Sequence, residues 1–494
     1  MNTKLLKQKI LDLAIRGKLT QQLKSDGTAK DLLTQISDER RKTRDERKGT
    51  RSKKSGVILS EAQSAKSKDL KQIIPLDKNE APFEIPANWE WVRLGNVCFV
   101  TKLAGFEYSD YIVNNLVEDG IPLFKGKNIQ DSKLVLQFES YIPENISDSL
   151  ERSQLRRKCI LTPYVGTIGN MAIFDGSFKA HLGSNVGKIE PFNGILEEFL
   201  FHFLKSDTGY KQLTKHKKAT AQESISIESI RDVFLPLPPL AEQQRIVEKI
   251  QEAFAEIDAV EKNKELLKTH IKQTRQKILD LAIHGKLVPQ NKSDEPASVL
   301  LERITRDNPH YEKLTDVPFE IPDSWEWVKL MNVCEDFIVP QRDKPTEFTG
   351  NIPWCRIEDI EGKYLNGSRS HQLVTKELAD KMNMHLCPKG TVISACSASI
   401  GNQAITTVDC YTNQTFIGIV CNKTLLFNEY LYYFLESQSK KLKEMGKGTT
   451  IGYISRKKYE DYAFPLPPLA EQKRIVNKIE EIFASLNEIS LHLV

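Results

Sequence analysis

The chain lacks most of the features that declare a function. No apolar run approaches the ~20 residues a membrane-spanning helix needs, and Met1 to Ile15 is amphipathic rather than a signal peptide. Charge is close to balanced: 70 Lys and Arg against 66 Asp and Glu leave +4, so composition alone marks no nucleic-acid binder. Eight cysteines include no CxxC pair, which points to reduced thiols in a cytoplasmic protein and not to a disulfide framework. None of the six Gly-Lys pairs is followed by Ser or Thr, so there is no Walker A loop; GxGxxG, HExxH and GxSxG are also missing. The nine histidines stand at no metal-ligand spacing, and the Pro-Pro pairs lie in Leu-Pro-Pro-Leu instead of the amino-methyltransferase motif. Asp359 followed by Glu361-Gly-Lys363 resembles a nuclease fragment, but the matching place in the first half, Gln130 to Ser132, does not keep it. These absences predict no catalytic residue, no metal and no cofactor on this chain, and leave binding modules.

What the chain does have is repetition. Pro236 to Ile250, PLPPLAEQQRIVEKI, matches Pro465 to Ile479, PLPPLAEQKRIVNKI, at 13 of 15 positions. Gln8 to Leu19 matches Gln276 to Leu287 at 11 of 12 positions. Ala81 to Cys98 matches Val317 to Cys334 at 13 of 18, and its tryptophans, set beside prolines in both halves, read as core anchors before they read as base-stacking groups. From Ala241 the sequence runs without Pro or Gly to His284. Apolar residues recur there at Ile246, Ile250, Ala253, Ile257, Val260, Leu267, Ile271, Ile278 and Leu281, and with Lys264 and Thr274 in the two remaining seam positions the steps alternate four and three as a heptad seam. A straight helix of that length reaches roughly 65 Å at 1.5 Å per residue and needs a partner. The seam continues at Ile475, Ile479, Ile482 and Leu486 near the C-terminus and at Ile10 and Leu13 near the N-terminus. Together the two ends rebuild the central helix, so the chain reads as a two-fold repeat opened inside one helix, with two antiparallel helical units.

The expected organisation follows in order. Residues 1–19 are a helical piece, with Gly17 as its C-cap, and 20–80 hold a short helix and an insert. Between Arg40 and Lys54 that insert carries nine Lys or Arg against two acids, a solvated linker or a flexible arm for phosphate. Residues 81–235 form a first body, 236–291 the central helix, 292–316 a short helix and linker, 317–464 a second body and 465–494 the last helix. Short Val, Ile and Phe runs among Gly and Asn turns make each body a mixed α/β domain. The fold class is therefore α+β: two globular bodies separated by a long antiparallel coiled coil, with an internal two-fold repeat.

The duplicated PLPPLAEQ(Q/K)RIV leading into a heptad helix, paired with a repeated ILDLAIxGKL and two divergent bodies, resembles the DNA specificity subunit of Type I restriction-modification systems. The resemblance covers all of the chain except the 37–80 insert. It implies that the bodies are target recognition domains, each reading half of a split, asymmetric site in double-stranded DNA, and that the helices act as spacer and dock two methylating subunits. Restriction and translocation subunits would join through that complex. S-adenosylmethionine, ATP and Mg would sit on those partners, and no membrane is involved. On residue type and loop position, Lys125, Lys127 and Arg356 are candidates for the groove, where Arg or Lys clamps guanine; the plainer reading is solvated surface charge. Asn170 and Asn402, beside glycines, are loop readers or phosphate contacts; the plainer reading is a turn Asn at positive φ. Lys217, Lys218, Lys447 and Thr449 are candidate phosphate contacts, which position without specifying. A protein-only coiled-coil adaptor and a recognition half fused to an enzyme are the alternatives.

Overall fold

The computed structural model describes residues 2–38, 76, 80–215, 217, 223–305, 314, 316–339, 343–447 and 452–493. The basic stretch Arg40 to Lys54, Lys218 and Thr449 lie outside the described residues. The chain divides into two compact units, Met1–Lys262 and Asn263–Val494.

In the first unit, four antiparallel strands run in the order Cys98–Lys102, Val186–Pro191, Cys159–Pro163, Ala172–Phe174. A second four-stranded sheet has the order Tyr141–Ile142, Ile121–Phe124, Ala180–Leu182, Gln154–Leu155, with Ile121–Phe124 and Ala180–Leu182 parallel. Every residue of Cys159–Pro163 is buried, as a strand covered on both faces requires. Phe124, Phe138, Phe174 and Phe178 pack edge-on and stacked in one cluster.

The second unit repeats the core of this topology on different residues, with one strand more in its main sheet and one fewer in the smaller. Its main sheet runs Cys334–Ile338, Phe416–Cys421, Val392–Ala395, Gln403–Thr406, Tyr364–Leu365, and a smaller one Leu373–Val374, Ile352–Cys355, Tyr411–Thr412. Here too the strand pair Ile352–Cys355 and Tyr411–Thr412 is parallel. Each unit closes with a two-stranded ribbon that sets Trp91 opposite Pro236, or Trp327 opposite Pro465. Trp89, Trp91, Trp325 and Trp327 are all buried, so they are core anchors.

The repeated helices are as long as their pattern implies. The central helix spans Leu240–Ile283, 44 residues. In the first unit the N-terminal helix Thr3–Ile15 lies antiparallel to it, with Thr3 bonded to Glu261 and Lys7 to Asp258. That helix is capped by Asn2 and ends at Gly17, whose φ of +66° and contact with Pro86 leave no room for a Cβ. In the second unit the C-terminal helix Leu469–Leu491 meets the central helix through Arg275, which bonds Asn487 and lies over Phe483 at 4.7 Å.

The seam differs from the sequence expectation in its middle. Ile246, Ile250, Ile257 and Ile271 are buried, as are Ile475 and Ile479. Ile10, Leu13, Ile278, Leu281, Ile482 and Leu486 are half-buried. Val260 and Leu267 are 49% and 39% exposed, and no residue from 258 to 270 is buried. A heptad pattern marks what can be buried; burial also needs a facing side chain at that level. In the N-terminal helix the deepest positions are Leu11, Ala14 and Ile15, one step round from Ile10 and Leu13.

The duplicated Ala-Glu-Gln is a buried polar clamp. Glu242 is fully buried and accepts from Trp89 Nε1 at 2.8 Å and Gln22 Nε2 at 2.6 Å. Gln243 accepts from Leu196 N at 2.9 Å and donates to the carbonyls of Gly194 and Pro238, both at 3.1 Å. Arg245 pairs with Asp26 through both terminal nitrogen contacts, a bond that holds the Asp26 carboxyl below its usual range. The second unit reproduces most of the set: Gln290 donates to Glu471 at 2.6 Å, and Gln472 meets Phe427 N, Leu425 O and Pro467 O. Arg474 pairs there with Asp294.

One titratable side chain ties the first body to its helix. His202, on the helix Glu197–Lys205, packs against Phe201 and Phe254, and burial pushes its imidazole down to about 4 against the opposing pull of Glu198. The native state therefore keeps it neutral while the unfolded chain takes up a proton near its ordinary value. The resulting stability is complete above pH ~6.5 and is lost as pH falls towards 4. Melting of the first unit should cost about 2 kcal/mol more stability between pH 7.5 and 5 than in His202→Leu. Equal pH slopes for the two proteins would refute this.

Candidate nucleic-acid interface

In each body, loops that begin where strands end are stitched to one edge by backbone hydrogen bonds. In the first, Gly183 N donates to Phe124 O at 2.8 Å, Tyr164 N to Asn185 O at 3.0 Å, and Ile225 N to Tyr164 O at 2.9 Å. In the second, Asn413 N donates to Cys355 O at 3.1 Å, Cys396 N to Thr415 O at 2.8 Å, and Ile454 N to Cys396 O at 2.8 Å. The same four segments therefore meet in both bodies, 124–130, 164–170, 183–185 and 223–225 against 355–360, 396–402, 413–415 and 452–454, and the first two of each carry Lys125, Lys127, Asn170, Arg356 and Asn402. Backbone that has left the ladder is free to present side chains, while the sheets behind it stay rigid.

The first loop of each edge is built by a residue that sequence reasoning missed. Lys125 N donates to Asn128 Oδ1 at 2.9 Å, and Asn128 Nδ2 donates to Val135 O and Gln137 O. At the equivalent place Arg356 N donates to Asp359 Oδ2 at 2.7 Å, and Arg369 N donates to Asp359 Oδ1 at 2.8 Å. Both Asn128 and Asp359 are buried. A short polar side chain three residues after a cation, at matching positions in both halves, was the available signal. Asp359 is thus a loop builder, and the nuclease-like fragment comes apart. Glu361 pairs with Arg369 at 3.2 Å, while Lys363 reaches Glu429 and Glu480. Burial works to lower the Lys363 ammonium, but those two carboxylates hold it above its ordinary range.

The candidate contacts divide on inspection. Lys125 donates to Ser140 Oγ at 2.7 Å, and Lys127 pairs with Glu139 at the surface. Arg356 is partly enclosed: it pairs with Glu358 at 2.9 Å, bonds Ser370 and lies 5.9 Å over Trp354. Asn170 is neither an exposed reader nor a turn residue at positive φ. Its Nδ2 donates to Ile129 O at 2.7 Å and so ties the glycine loop to the Lys125 loop. The positive φ angles belong to Gly166, Gly169 and Gly401, and to Ala398, which stands where the first body has Gly166. Asn402 is exposed, and the structure brings it together with Lys443 and Lys447 on the wall of a groove of about 670 Å³. Lys217 pairs with Glu223, whose carbonyl accepts from Gly166 N at 2.9 Å.

Asn128→Ala should therefore cost about 2–3 kcal/mol, because it orphans buried backbone groups. Lys127→Ala should change stability by less than about 0.5 kcal/mol. Thermal melts of the two variants check this; equal effects would show that the loop does not depend on Asn128.

The profile of the Type I restriction modification DNA specificity domain matches residues 86–269 and 322–492, one repeat in each half. The chain is 23% identical over 566 aligned residues to the Type I restriction enzyme EcoAI specificity subunit of Escherichia coli, covering 98% of this chain and 90% of that subunit. It is also 23% identical to the EcoKI specificity subunit of Escherichia coli strain K12, covering 82% and 84%. Its fold is similar to the HsdS subunit from Thermoanaerobacter tengcongensis, with TM-score 0.55 and 19% identity over 84% of this chain and 94% of that one. A chain from a structural study of complex assembly and conformational transition of the type I R-M system is similar at TM-score 0.56, with 20% identity over 83% and 94%. Among the described residues, no helix is long and apolar enough to cross a membrane. With two stitched bodies, two copies of the clamp and a family profile that spans most of the sequence, the chain belongs to the Type I restriction modification DNA specificity family.

Proposed function

We propose that this chain is the recognition subunit of a Type I restriction-modification complex and is itself non-catalytic. Each body reads one half of a bipartite, asymmetric site in double-stranded DNA. The observation that carries this reading is the pair of edges built from one backbone plan but lined by unlike side chains. One scaffold with two sets of side chains would present two different half-sites. The central helix, with the helices at both chain ends, sets the gap between the half-sites and docks two methylating subunits. Restriction and translocation subunits join through that complex, and S-adenosylmethionine, ATP and Mg are bound by those partners. The target residues are Lys125, Lys127, Lys217 and Arg356 for one or other half, with Asn402 and Lys447 in the groove of the second body. Asn170 supports the first edge from behind, and Lys218 and Thr449 remain candidates as phosphate contacts.

The test is a binding curve on duplex DNA with the methylating subunit present, over a range of salt. Affinity that rests on phosphate contacts falls steeply with salt, by roughly a thousandfold or more between 50 and 200 mM for six contacts. A flat or absent response would favour a protein-only adaptor.

A further inference from the structure

We infer that Tyr210 gives the first body an apolar contact to a DNA base, at a place where the second body offers hydrogen-bonding side chains instead. This rests on the reading that the stitched edges face DNA, and deepens it by naming a specificity-determining residue.

Tyr210 lies on the helix Asp207–Thr214. Ser206 caps that helix, accepting from Gly209 N at 3.1 Å, and Leu213 anchors it in the core. Tyr210 is nonetheless 43% exposed. Its ring rests on the backbone of Gly169, whose φ is +84°, and a Cβ there would overlap the ring. The glycine loop is thus a flat shelf under the tyrosine. The shelf is pinned on both sides, by Gly166 N to Glu223 O and by Asn170 Nδ2 to Ile129 O.

The second body has the same shelf without the ring. Gly401, φ +94°, takes the equivalent step of its loop, but its neighbours are Ser439 and Lys443. The space beside it is the groove lined by Asn402, Lys443 and Lys447. One edge therefore offers a supported aromatic face, and the other an open groove with donors.

A tyrosine held against backbone gives up little rotamer freedom on contact, which makes it an efficient anchor. What it can meet on DNA is apolar: the face of an unstacked base or the 5-methyl group of thymine. Adenine methylation requires the target base to leave the stack, so an open base face is chemically available at such a site. Lysine and asparagine in the second body suit hydrogen bonds to base edges or phosphates instead.

The experiment uses the full chain with its methylating subunit on duplexes carrying the methylated motif found by sequencing. Tyr210→Ala and Tyr210→Gln should lower affinity and methylation about 10- to 100-fold. They should relax base preference only in the half-site read by the first body, while Tyr210→Phe stays within about 3-fold of the parent. Deoxyuridine in place of thymidine in that half-site separates the two contacts: a matching loss in the parent identifies the methyl group, and no change identifies a stacked face. If Tyr210→Ala and Tyr210→Gln melt like the parent and leave the profile unchanged, or relax both half-sites equally, the inference is overturned while the DNA-reading function stands. If the parent complex yields no motif that depends on this chain, both fall.

Discussion

Gln243→Ala should destabilise the first unit by about 3–5 kcal/mol, and Gln472→Ala the second unit by a similar amount. Gln243 is fully buried and makes three hydrogen bonds to backbone, to Leu196 N, Gly194 O and Pro238 O. Truncation leaves those groups in the core with no partner, at a cost of about 1–3 kcal/mol each, and adds a small cavity. Because the bonds join the start of the central helix to the loop before the helix Glu197–Lys205, the loss should also loosen the body on its helix. Glu242→Gln is the milder control: it keeps the shape and an acceptor for Trp89, so its cost should stay near 1 kcal/mol. Chemical unfolding with separate probes for the two units reads both effects. A Gln243→Ala chain that melts like the parent would mean that the repeated motif is not a structural clamp.

The second large effect concerns the seam. Ile257→Asp and Ile271→Asp each place a carboxylate at a buried position, and should cost about 3–5 kcal/mol. Both should abolish assembly with the methylating subunit. Val260→Asp separates docking from folding. Val260 is 49% exposed, so its replacement should change the melting of the isolated chain by less than about 0.5 kcal/mol. If the exposed middle of the central helix is the docking surface, the same variant should weaken capture of the methylating subunit at least tenfold. Unaltered capture by Val260→Asp would move the docking surface elsewhere.

Much of the architecture was legible because duplication works as an internal control. A motif that occurs twice at a fixed offset must be explained twice, and PLPPLAEQ was, by clamps that share their glutamine, glutamate and arginine partners. The pairing of the N-terminal helix with the central helix also followed from repetition, since Gln8 to Leu19 copies a stretch of that helix. The seam was legible as a pattern but not as burial: Val260 and Leu267 keep the heptad register and are exposed, because periodicity carries no information on where the facing helix stops. The edge was legible only as landmarks. Strand-end loops are brought together by bonds between distant backbone atoms, such as Gly183 to Phe124, which leave no mark in local composition. Asn170 shows the limit most clearly. An Asn beside glycines reads as a turn or a contact, whereas its amide is spent on the Ile129 carbonyl, 41 residues away. Asn128 was passed over and Asp359 was noticed only in a nuclease-like fragment, because one is neutral and the other charged, and only their shared geometry shows one role.

The most direct test of the central claim is methylation-sensitive long-read sequencing of DNA from cells that express this chain with its cognate methylating subunit. The account predicts a new methyl-adenine motif in two unlike halves with a fixed gap between them, present only when this chain is present. No new motif from a complex shown to assemble, or a motif that persists when the chain is left out, would contradict it.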